Sequence, residues 1–237
     1  MADVFDAIAR HASERPDACA LLTPQETISY AQYETALRVV ADNVRTCGIR
    51  PGAFTGIAAQ SGLDYVLLLM GLMRAGAIAC PRSPRWPLRG ILDALQTLNA
   101  THLFLPSRID APGIEVRALS EVLASVPPLR GEQGECSRAD TKAPCLCIFT
   151  SGSAGQPKAA LHGCAALSYS AETANANMPL ATGDRWLLSL PLFHVAGIGV
   201  LFRCALVGAT VAIPAPAESI EDSILRCGVT HVSLVAT

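Results

Sequence analysis

Short apolar runs alternate along this chain with longer stretches in which apolar residues recur at helical spacing. Gly52–Ala59 is a short apolar run, Leu63–Arg74 has the length and composition of a helix, and Ala77–Cys80 is apolar again. Short continuous apolar runs are typical of buried strands. Strands that alternate with helices predict βαβ units, so we expect a doubly wound α/β fold with mostly parallel sheets.

The same patterns divide the rest of the chain. Helices are predicted over Met1–Arg15, Tyr30–Cys47, Leu63–Arg74, Pro84–Asn99, Ser120–Ser125, Gly163–Asn177, Ile198–Val207 and Ile220–Arg226. Strands are predicted over Ala18–Leu22, Gly52–Ala59, Ala77–Cys80, Thr101–Leu105, Cys145–Phe149, Trp186–Leu190, Ala209–Ile213 and His231–Val235. Ser29 and Gln32 resemble a capping box, Ser61 with Asp64 indicates a second N-terminal cap, and Gly76 indicates a helix end.

Composition narrows the classes of function. The chain is 51% hydrophobic and 16% charged, which is enough for one large domain or two lobes. The net charge is −2 and the basic residues are scattered, so nucleic acid is not an expected partner. Val66–Met73 is too short an apolar stretch to span a bilayer, and Asp3 and Asp6 stand where a secretory signal would be basic. We therefore expect no membrane association.

The nine cysteines lie mostly among small apolar residues. A free cysteine behaves as a small hydrophobic residue, and free thiols indicate the reducing cytoplasm. Cys145 and Cys147 alternate along a predicted strand, and no second Cys or His pair with zinc spacing follows them. The sequence therefore predicts core cysteines and no metal site.

Candidate chemistry begins where the strand Cys145–Phe149 runs into the segment Thr150–Lys158, T-S-G-S-A-G-Q-P-K. Glycines let the backbone approach a ligand, and consecutive N–H groups can surround an anion. Hydroxyl groups add donors, and Lys158 adds a positive charge for phosphate oxygens. The segment predicts a loop that holds polyphosphate; the alternative is a Gly/Ser surface turn with a solvated lysine.

Three common loop motifs do not fit this segment. A Walker A loop needs a longer glycine spacing and Ser or Thr after the lysine, whereas Ala159 follows Lys158. The dinucleotide-binding G-x-G-x-x-G and the nucleophile elbow G-x-S-x-G are absent as well. The string instead resembles the phosphate-binding loop of the adenylate-forming superfamily, [ST]-[ST]-G-[ST]-[ST]-G-x-P-K-[GA]. Thr150–Ala159 matches it at every position except Ala154. The resemblance assigns phosphate binding to the following residues: Thr150, Ser151, Gly152, Ser153, Gly155 and Lys158.

A second motif is P-L-F-H-V-A-G, Pro191–Gly197, followed by an apolar helix that contains Arg203. By themselves these residues indicate a core or capping His194 and a surface Arg203 whose aliphatic stem is buried. The motif resembles the superfamily's P-x-F-H-x-x-G, which implies that His194 lines the acyl pocket. The run through Arg203 resembles the o-succinylbenzoate–CoA ligases of menaquinone synthesis. Their substrate has two carboxylates, and a buried guanidinium requires an anionic partner, so the resemblance implies that Arg203 binds the carboxylate that is not activated.

The resemblance implies an AMP-forming acid–CoA ligase with ATP, Mg²⁺ and CoA as cofactors and a small carboxylic acid as substrate. The acid would attack the α-phosphorus of ATP, and CoA would then attack the acyl-adenylate, with Lys158 and His194 as the catalytic side chains. Three alternatives stay open: another acyl- or aryl-CoA synthetase, an amino-acid adenylation enzyme, or a nucleotide-binding half-domain without catalysis.

The resemblance covers the whole chain but only the first half of such an enzyme. It implies one lobe over about residues 55–178 with the phosphate loop, and a second, incomplete lobe from about 1–50 and 186–237. The adenine motif, the magnesium-binding glutamate and the C-terminal domain would follow Thr237. We therefore expect an N-terminal portion that is inactive alone, and whose open sheet edge favours self-association into a homo-oligomer.

Overall fold

The computed structural model describes residues 3–124, 143–150 and 158–235, which form an α/β fold with two mixed sheets. The described chain divides into two compact units. One contains residues 3–35 and 165–235, and the other contains residues 36–124, 143–150 and 158–164. In these ranges no helix is long and apolar enough to cross a membrane.

The second unit is built on a six-stranded sheet. Its strands are β3 (Phe54–Ile57), β4 (Ile78–Pro81), β5 (His102–Leu105), β6 (Glu115–Ala118), β7 (Pro144–Thr150) and β8 (Lys158–Gly163). The strand order is β6-β5-β3-β4-β7-β8, and every neighbouring pair is parallel except the antiparallel pair β7 and β8. Its helices are α3 (Leu63–Arg74), α4 (Leu88–Gln96) and α5 (Leu119–Leu123), and it also contains most of α2 (Tyr30–Thr46).

Burial explains the apolar pattern of this unit. In α3 every residue from Tyr65 to Met73 is buried, so this helix is apolar on all sides. On one face of the sheet, a core cluster joins Cys80 of β4, Cys147 of β7 and Leu95 of α4. The predicted core position of Cys147 is confirmed, since its side chain is fully buried.

The first unit is built on a five-stranded sheet. Its strands are β1 (Cys19–Leu22), β2 (Thr27–Ser29), β9 (Arg185–Leu187), β10 (Thr210–Ala212) and β11 (His231–Val232). The order is β11-β9-β10-β1-β2, and only β1 and β2 are antiparallel. Its helices are α1 (Val4–Glu14), α6 (Cys164–Asn177), α7 (Val195–Val207) and α8 (Ile220–Cys227).

The predicted helix starts were right in one case and wrong in another. The Ser29 N–H donates to Gln32 Oε1 at 2.7 Å and the Gln32 N–H donates to Ser29 Oγ at 3.3 Å, which confirms the capping box. The cap predicted from Ser61 is wrong, because Gly62 is the N-cap of α3 and no side-chain hydrogen bond caps it. Burial of every residue from Tyr65 to Met73 holds that helix in place.

Candidate functional site

The two described ends of the predicted phosphate loop lie opposite each other. Thr150 ends β7, Lys158 begins β8, and the two residues are direct partners in the antiparallel ladder. The Thr150 hydroxyl donates to the Lys158 carbonyl at 3.4 Å, and both residues are exposed. Four predicted phosphate-binding residues lie outside the described ranges: Ser151, Gly152, Ser153 and Gly155. Thr150 and Lys158, the described residues on either side of that segment, are therefore fixed by one strand pair.

The direction of β7 locates the loop on the sheet. β7 is parallel to β4, with Ala79 opposite Leu146, and β4 is parallel to β3. Thr150 therefore stands at the carboxyl edge of these strands. In open parallel α/β sheets ligands bind at that edge, so Thr150 and Lys158 stand where a ligand is expected.

Arg82, which the sequence analysis passed over, lies at the same edge. It directly follows β4, its N–H donates to the Ile57 carbonyl at 2.8 Å, and only 3% of the residue is exposed. Its guanidinium carbon is 4.2 Å from the ring centroid of Trp86 and 4.0 Å from that of Phe149. Burial lowers the pKa of Arg82. The sequence signal that could have identified Arg82 is a basic residue immediately after an apolar, predicted parallel strand.

Two thiols lie beside this arginine on the same face of the sheet. The hydrogen-bond contact between the Cys80 and Cys147 thiols raises the pKa of Cys80 and lowers that of Cys147, and the Cys80 thiol donates to the Ile78 carbonyl at 3.4 Å. Both are free and buried, as expected for core residues. Over the described ranges, no three His, Cys, Asp or Glu side chains are grouped so that they could hold a metal ion.

His194 is the N-cap of α7 and is exposed. Its N–H donates to the Pro191 carbonyl at 3.1 Å, and its own carbonyl accepts from Gly197 at 3.1 Å. The imidazole is 4.6 Å from the ring centroid of Phe193. The motif Pro191–Gly197 is therefore one tight turn that leads into the helix and leaves the imidazole accessible.

Arg203 lies further along α7 and is half-buried against α6. Its Nε donates to Asn175 Oδ1 at 2.7 Å and its Nη2 donates to the Met178 carbonyl at 2.9 Å. The guanidinium also lies 4.1 Å from the ring centroid of Trp186. These partners are neutral, and a cation at the C-terminal end of a helix is favoured by the helix dipole. Arg203 comes nine positions after His194, so the two residues lie about 14 Å apart along the axis of α7.

Comparison with known proteins gives a family match over nearly the whole chain. Residues 8–237 match the family model described as AMP-binding enzyme. The 2-succinylbenzoate–CoA ligase of Salmonella typhimurium is 30% identical over 226 residues, which are 94% of this chain and 47% of the ligase. Nonribosomal peptide synthetase 8 of Aspergillus fumigatus is 26% identical over 223 residues, which are 92% of this chain and 3% of that protein. The chain spans about half the length of the curated ligases that it matches.

Solved structures show the same fold. The o-succinylbenzoate coenzyme A synthetase of Bacillus subtilis, in complex with ATP and magnesium ion, has a TM-score of 0.83 at 22% identity over 96% of this chain and 49% of that one. The N-terminal subdomain of Klebsiella oxytoca NpsA has a TM-score of 0.85 at 19% identity over 98% of this chain and 59% of that one. The family match, the two mixed sheets and the loop motif between β7 and β8 agree, and the chain belongs to the AMP-binding enzyme family.

Proposed function

We propose that these residues are the N-terminal part of an AMP-forming acid–CoA ligase. The observation that supports this most is the motif T-S-G-S-A-G-Q-P-K, whose ends Thr150 and Lys158 are paired at the carboxyl edge of a parallel sheet. The activity is proposed for the whole ligase, because this chain matches half the length of such enzymes. The eight cysteines of the described ranges are free thiols, so we place the protein in the reducing cytoplasm.

In the first half-reaction a carboxylate oxygen attacks the α-phosphorus of ATP and pyrophosphate leaves. Catalysis of this step requires positioning of the reactants and neutralisation of charge. Thr150, Lys158 and the loop residues Ser151, Gly152, Ser153 and Gly155 would bind the β- and γ-phosphates. The Lys158 ammonium would offset the charge that grows on the leaving pyrophosphate.

The cofactors are those of this ligase class: ATP, Mg²⁺ and CoA. In the second half-reaction the CoA thiolate would attack the acyl-adenylate and release AMP. Mg²⁺ would neutralise phosphate charge when it is bound. Because the described ranges contain no cluster of metal ligands, we assign no residue to the ion and derive no step through it.

The acid that we propose is o-succinylbenzoate, which is supported by the 30% identity to the Salmonella ligase. His194 is the proposed wall of the acyl pocket near the reacting carboxylate, in keeping with its exposure. Arg203 is the proposed partner of the second carboxylate, although its Nε and Nη2 already hold the end of α6. Arg203→Met in the whole ligase separates these roles: a binding role raises KM for o-succinylbenzoate at unchanged KM for ATP, whereas a purely structural role lowers stability alone.

A second candidate is amino-acid adenylation, which the match to a nonribosomal peptide synthetase favours. Both activities use the same loop and differ in the acid. ATP–pyrophosphate exchange by the whole enzyme, measured with o-succinylbenzoate, aryl acids, fatty acids and amino acids, separates them. We expect exchange to depend on o-succinylbenzoate, and none from these 237 residues by themselves.

The direct test of the loop is thermal unfolding of this chain with and without millimolar Mg-ATP, in the wild type and in Lys158→Ala. A ligand at a hundred times its dissociation constant stabilises the folded state by about 2.7 kcal/mol. We expect a rise in Tm that Lys158→Ala removes. The control is Arg50→Ala, which removes an exposed cation shortly before β3, at the amino edge of the sheet, and should leave the rise unchanged. Equal shifts in the wild type and Lys158→Ala would refute the assignment of Lys158.

A further inference from the structure

The guanidinium of Arg203 is held in one orientation by uncharged groups. Its Nε donates to Asn175 Oδ1 at 2.7 Å. Its Nη2 donates to the Met178 carbonyl at 2.9 Å and, more weakly, to that of Ala174 at 3.4 Å. The guanidinium carbon lies 4.1 Å from the ring centroid of Trp186, over the face of the indole. Two of its nitrogens and one of its faces are therefore occupied by the protein.

Asn175 binds both the side chain and the main chain of Arg203. Its Oδ1 accepts from Nε, and its Nδ2 donates to the Arg203 backbone carbonyl at 3.2 Å. One amide group thus ties the guanidinium to its own backbone, so the arginine cannot change rotamer without losing the bond to Nε. A free arginine loses rotamer entropy when it binds a ligand, and this pair of hydrogen bonds removes much of that loss in advance.

These contacts leave Arg203 its full charge and one open nitrogen. No carboxylate of the described residues forms an ion pair with Arg203, although the residue is half-buried. Nη1 donates to none of the residues that the structure describes, and solvent reaches it. Hydrogen bonds from a guanidinium to a carboxylate are about twice as strong as those between neutral groups. An ordered cation with uncharged partners and an open donor is therefore suited to bind an anion from outside the chain.

We propose that Asn175 is a positioning residue, which holds Arg203 so that Nη1 is presented to a carboxylate of the acid substrate. This inference rests on the proposed function, in which Arg203 binds the second carboxylate of o-succinylbenzoate. Arg203 can hold the end of α6 and bind the acid at the same time, because the two tasks use different nitrogens. The inference also gives a reason for an amide at position 175. Aspartate would offer Nε the same acceptor oxygen, but its charge would offset that of the guanidinium and repel the acid.

The decisive variant is Asn175→Asp in the whole ligase, assayed by ATP–pyrophosphate exchange. It keeps the oxygen that accepts from Nε and puts a negative charge beside the guanidinium. KM for o-succinylbenzoate should rise about tenfold or more at unchanged KM for ATP. The Tm should not fall, because a charge-assisted hydrogen bond replaces a neutral one. A lower Tm with unchanged KM for o-succinylbenzoate would mean that Asn175 is purely structural, and it overturns the inference.

The matched control is Asn177→Asp. Asn177 is exposed and is the last residue of α6, two positions after Asn175, and it makes no hydrogen bond to Arg203. This variant adds the same charge to the same helix, and both KM values should stay at those of the wild type. An equal rise in KM for o-succinylbenzoate in both variants would show a general effect of charge on α6 and would overturn the role of Asn175.

Asn175→Leu tests the orientation of Arg203 without a change of charge. It removes both hydrogen bonds, so KM for o-succinylbenzoate should rise, but by less than in Asn175→Asp, because the cation remains. In this chain, without substrate, the Nε–H proton of Arg203 should exchange with water faster in Asn175→Leu than in the wild type, as followed by NMR. Equal exchange rates in the two proteins would overturn the inference whether or not the ligase is active.

Arg203→Met separates a failure of this inference from a failure of the proposed function. If Arg203→Met raises KM for o-succinylbenzoate and Asn175→Asp does not, Arg203 keeps its proposed role and the inference about Asn175 is overturned. If Arg203→Met leaves that KM unchanged, the proposed role of Arg203 is refuted and the inference falls with it. If the wild type exchanges only with another acid, the proposed acid is wrong, and KM for that acid in Asn175→Asp and Asn177→Asp decides: a rise in the first alone supports the inference, and equal values overturn it.

Discussion

Gly197 should tolerate no side chain, whereas Gly199, two residues later in the same helix, should gain from one. A Cβ at Gly197 would lie 2.7 Å from the Leu190 carbonyl oxygen and closer still to that of Pro191. These are backbone atoms of the turn that carries His194, so they cannot move aside as a side-chain end can. A Cβ at Gly199 would meet no atom within 4 Å.

The magnitude follows from two opposing effects. Replacing glycine by alanine in a helix stabilises the folded state by about 1 kcal/mol through helix propensity, and this stabilisation applies at both positions. At Gly197 the forced contact costs about 1–3 kcal/mol, by the measured range for overpacking. Comparing the two variants cancels the propensity, so Gly197→Ala should be about 1–3 kcal/mol less stable than Gly199→Ala. At about 2–4 °C per kcal/mol for a chain of this size, the gap in Tm is about 2–12 °C.

The assay is thermal and urea unfolding of both variants beside the wild type, followed by circular dichroism. Gly199→Ala should be the most stable of the three proteins, and Gly197→Ala should lie between the stability of the wild type and about 2 kcal/mol below it. A Gly197→Ala variant as stable as Gly199→Ala would refute the close approach of α7 to the Pro191–His194 turn. The same variant should also shift the imidazole proton resonances of His194, because the turn must move to accept the Cβ.

Three further predictions concern the first unit. Burial lowers the pKa of His11, whose Nδ1 accepts a hydrogen bond from Arg15 Nη2 at 2.7 Å. The contribution of His11 to stability is therefore complete above a pH of about 6.5 and is lost as the pH falls from there towards the lower folded-state pKa. Between pH 8 and pH 5, Tm should fall more steeply in the wild type than in His11→Gln, and parallel curves would contradict this. Hydrogen bonds, of which the one from Arg226 has the largest effect, lower the pKa of Glu218 to about 2. Glu218→Gln should therefore be less stable than the wild type above a pH of about 4.5, and this difference in stability should shrink as the pH falls to about 2. Urea midpoints at pH 7, 4 and 2 test this, and a difference that persists undiminished at pH 2 would show a cause other than ionisation. The buried Tyr30 hydroxyl donates to the Ala209 carbonyl at 2.8 Å, so Tyr30→Phe should lose about 1–2 kcal/mol in urea unfolding, and an unchanged midpoint would rule out that bond.

The elements that the sequence predicted well are those with an internal pattern. The predicted bounds of the helix Leu63–Arg74 agree with the observed ones, because an apolar run of that length is too long for a strand and is typical of a buried helix. The capping box of Ser29 and Gln32 was predicted because both partners lie within one turn. The loop motif was recognised for the same reason, since its glycines, hydroxyls and lysine are contiguous.

The elements that were missed depend on a distant partner. β8 begins at Lys158 in a sequence, K-A-A-L-H-G, that is poor in β-branched residues, and it is a strand because β7 lies beside it. Gly62, and not Ser61, is the N-cap of α3, whose residues from Tyr65 to Met73 are all buried. Strand pairing and burial act over long separations, which a local pattern does not contain.

For the candidate site the division is the same. The sequence alone determined the family motif, the hydroxyl and lysine donors and the place of His194 before an apolar helix. Only the tertiary structure put Arg82 between Trp86 and Phe149, more than sixty residues apart in the chain, and gave Arg203 the end of α6 as its partner. A motif records which groups are adjacent along the backbone, whereas the partners of a buried charge are decided by which strands and helices pack around it.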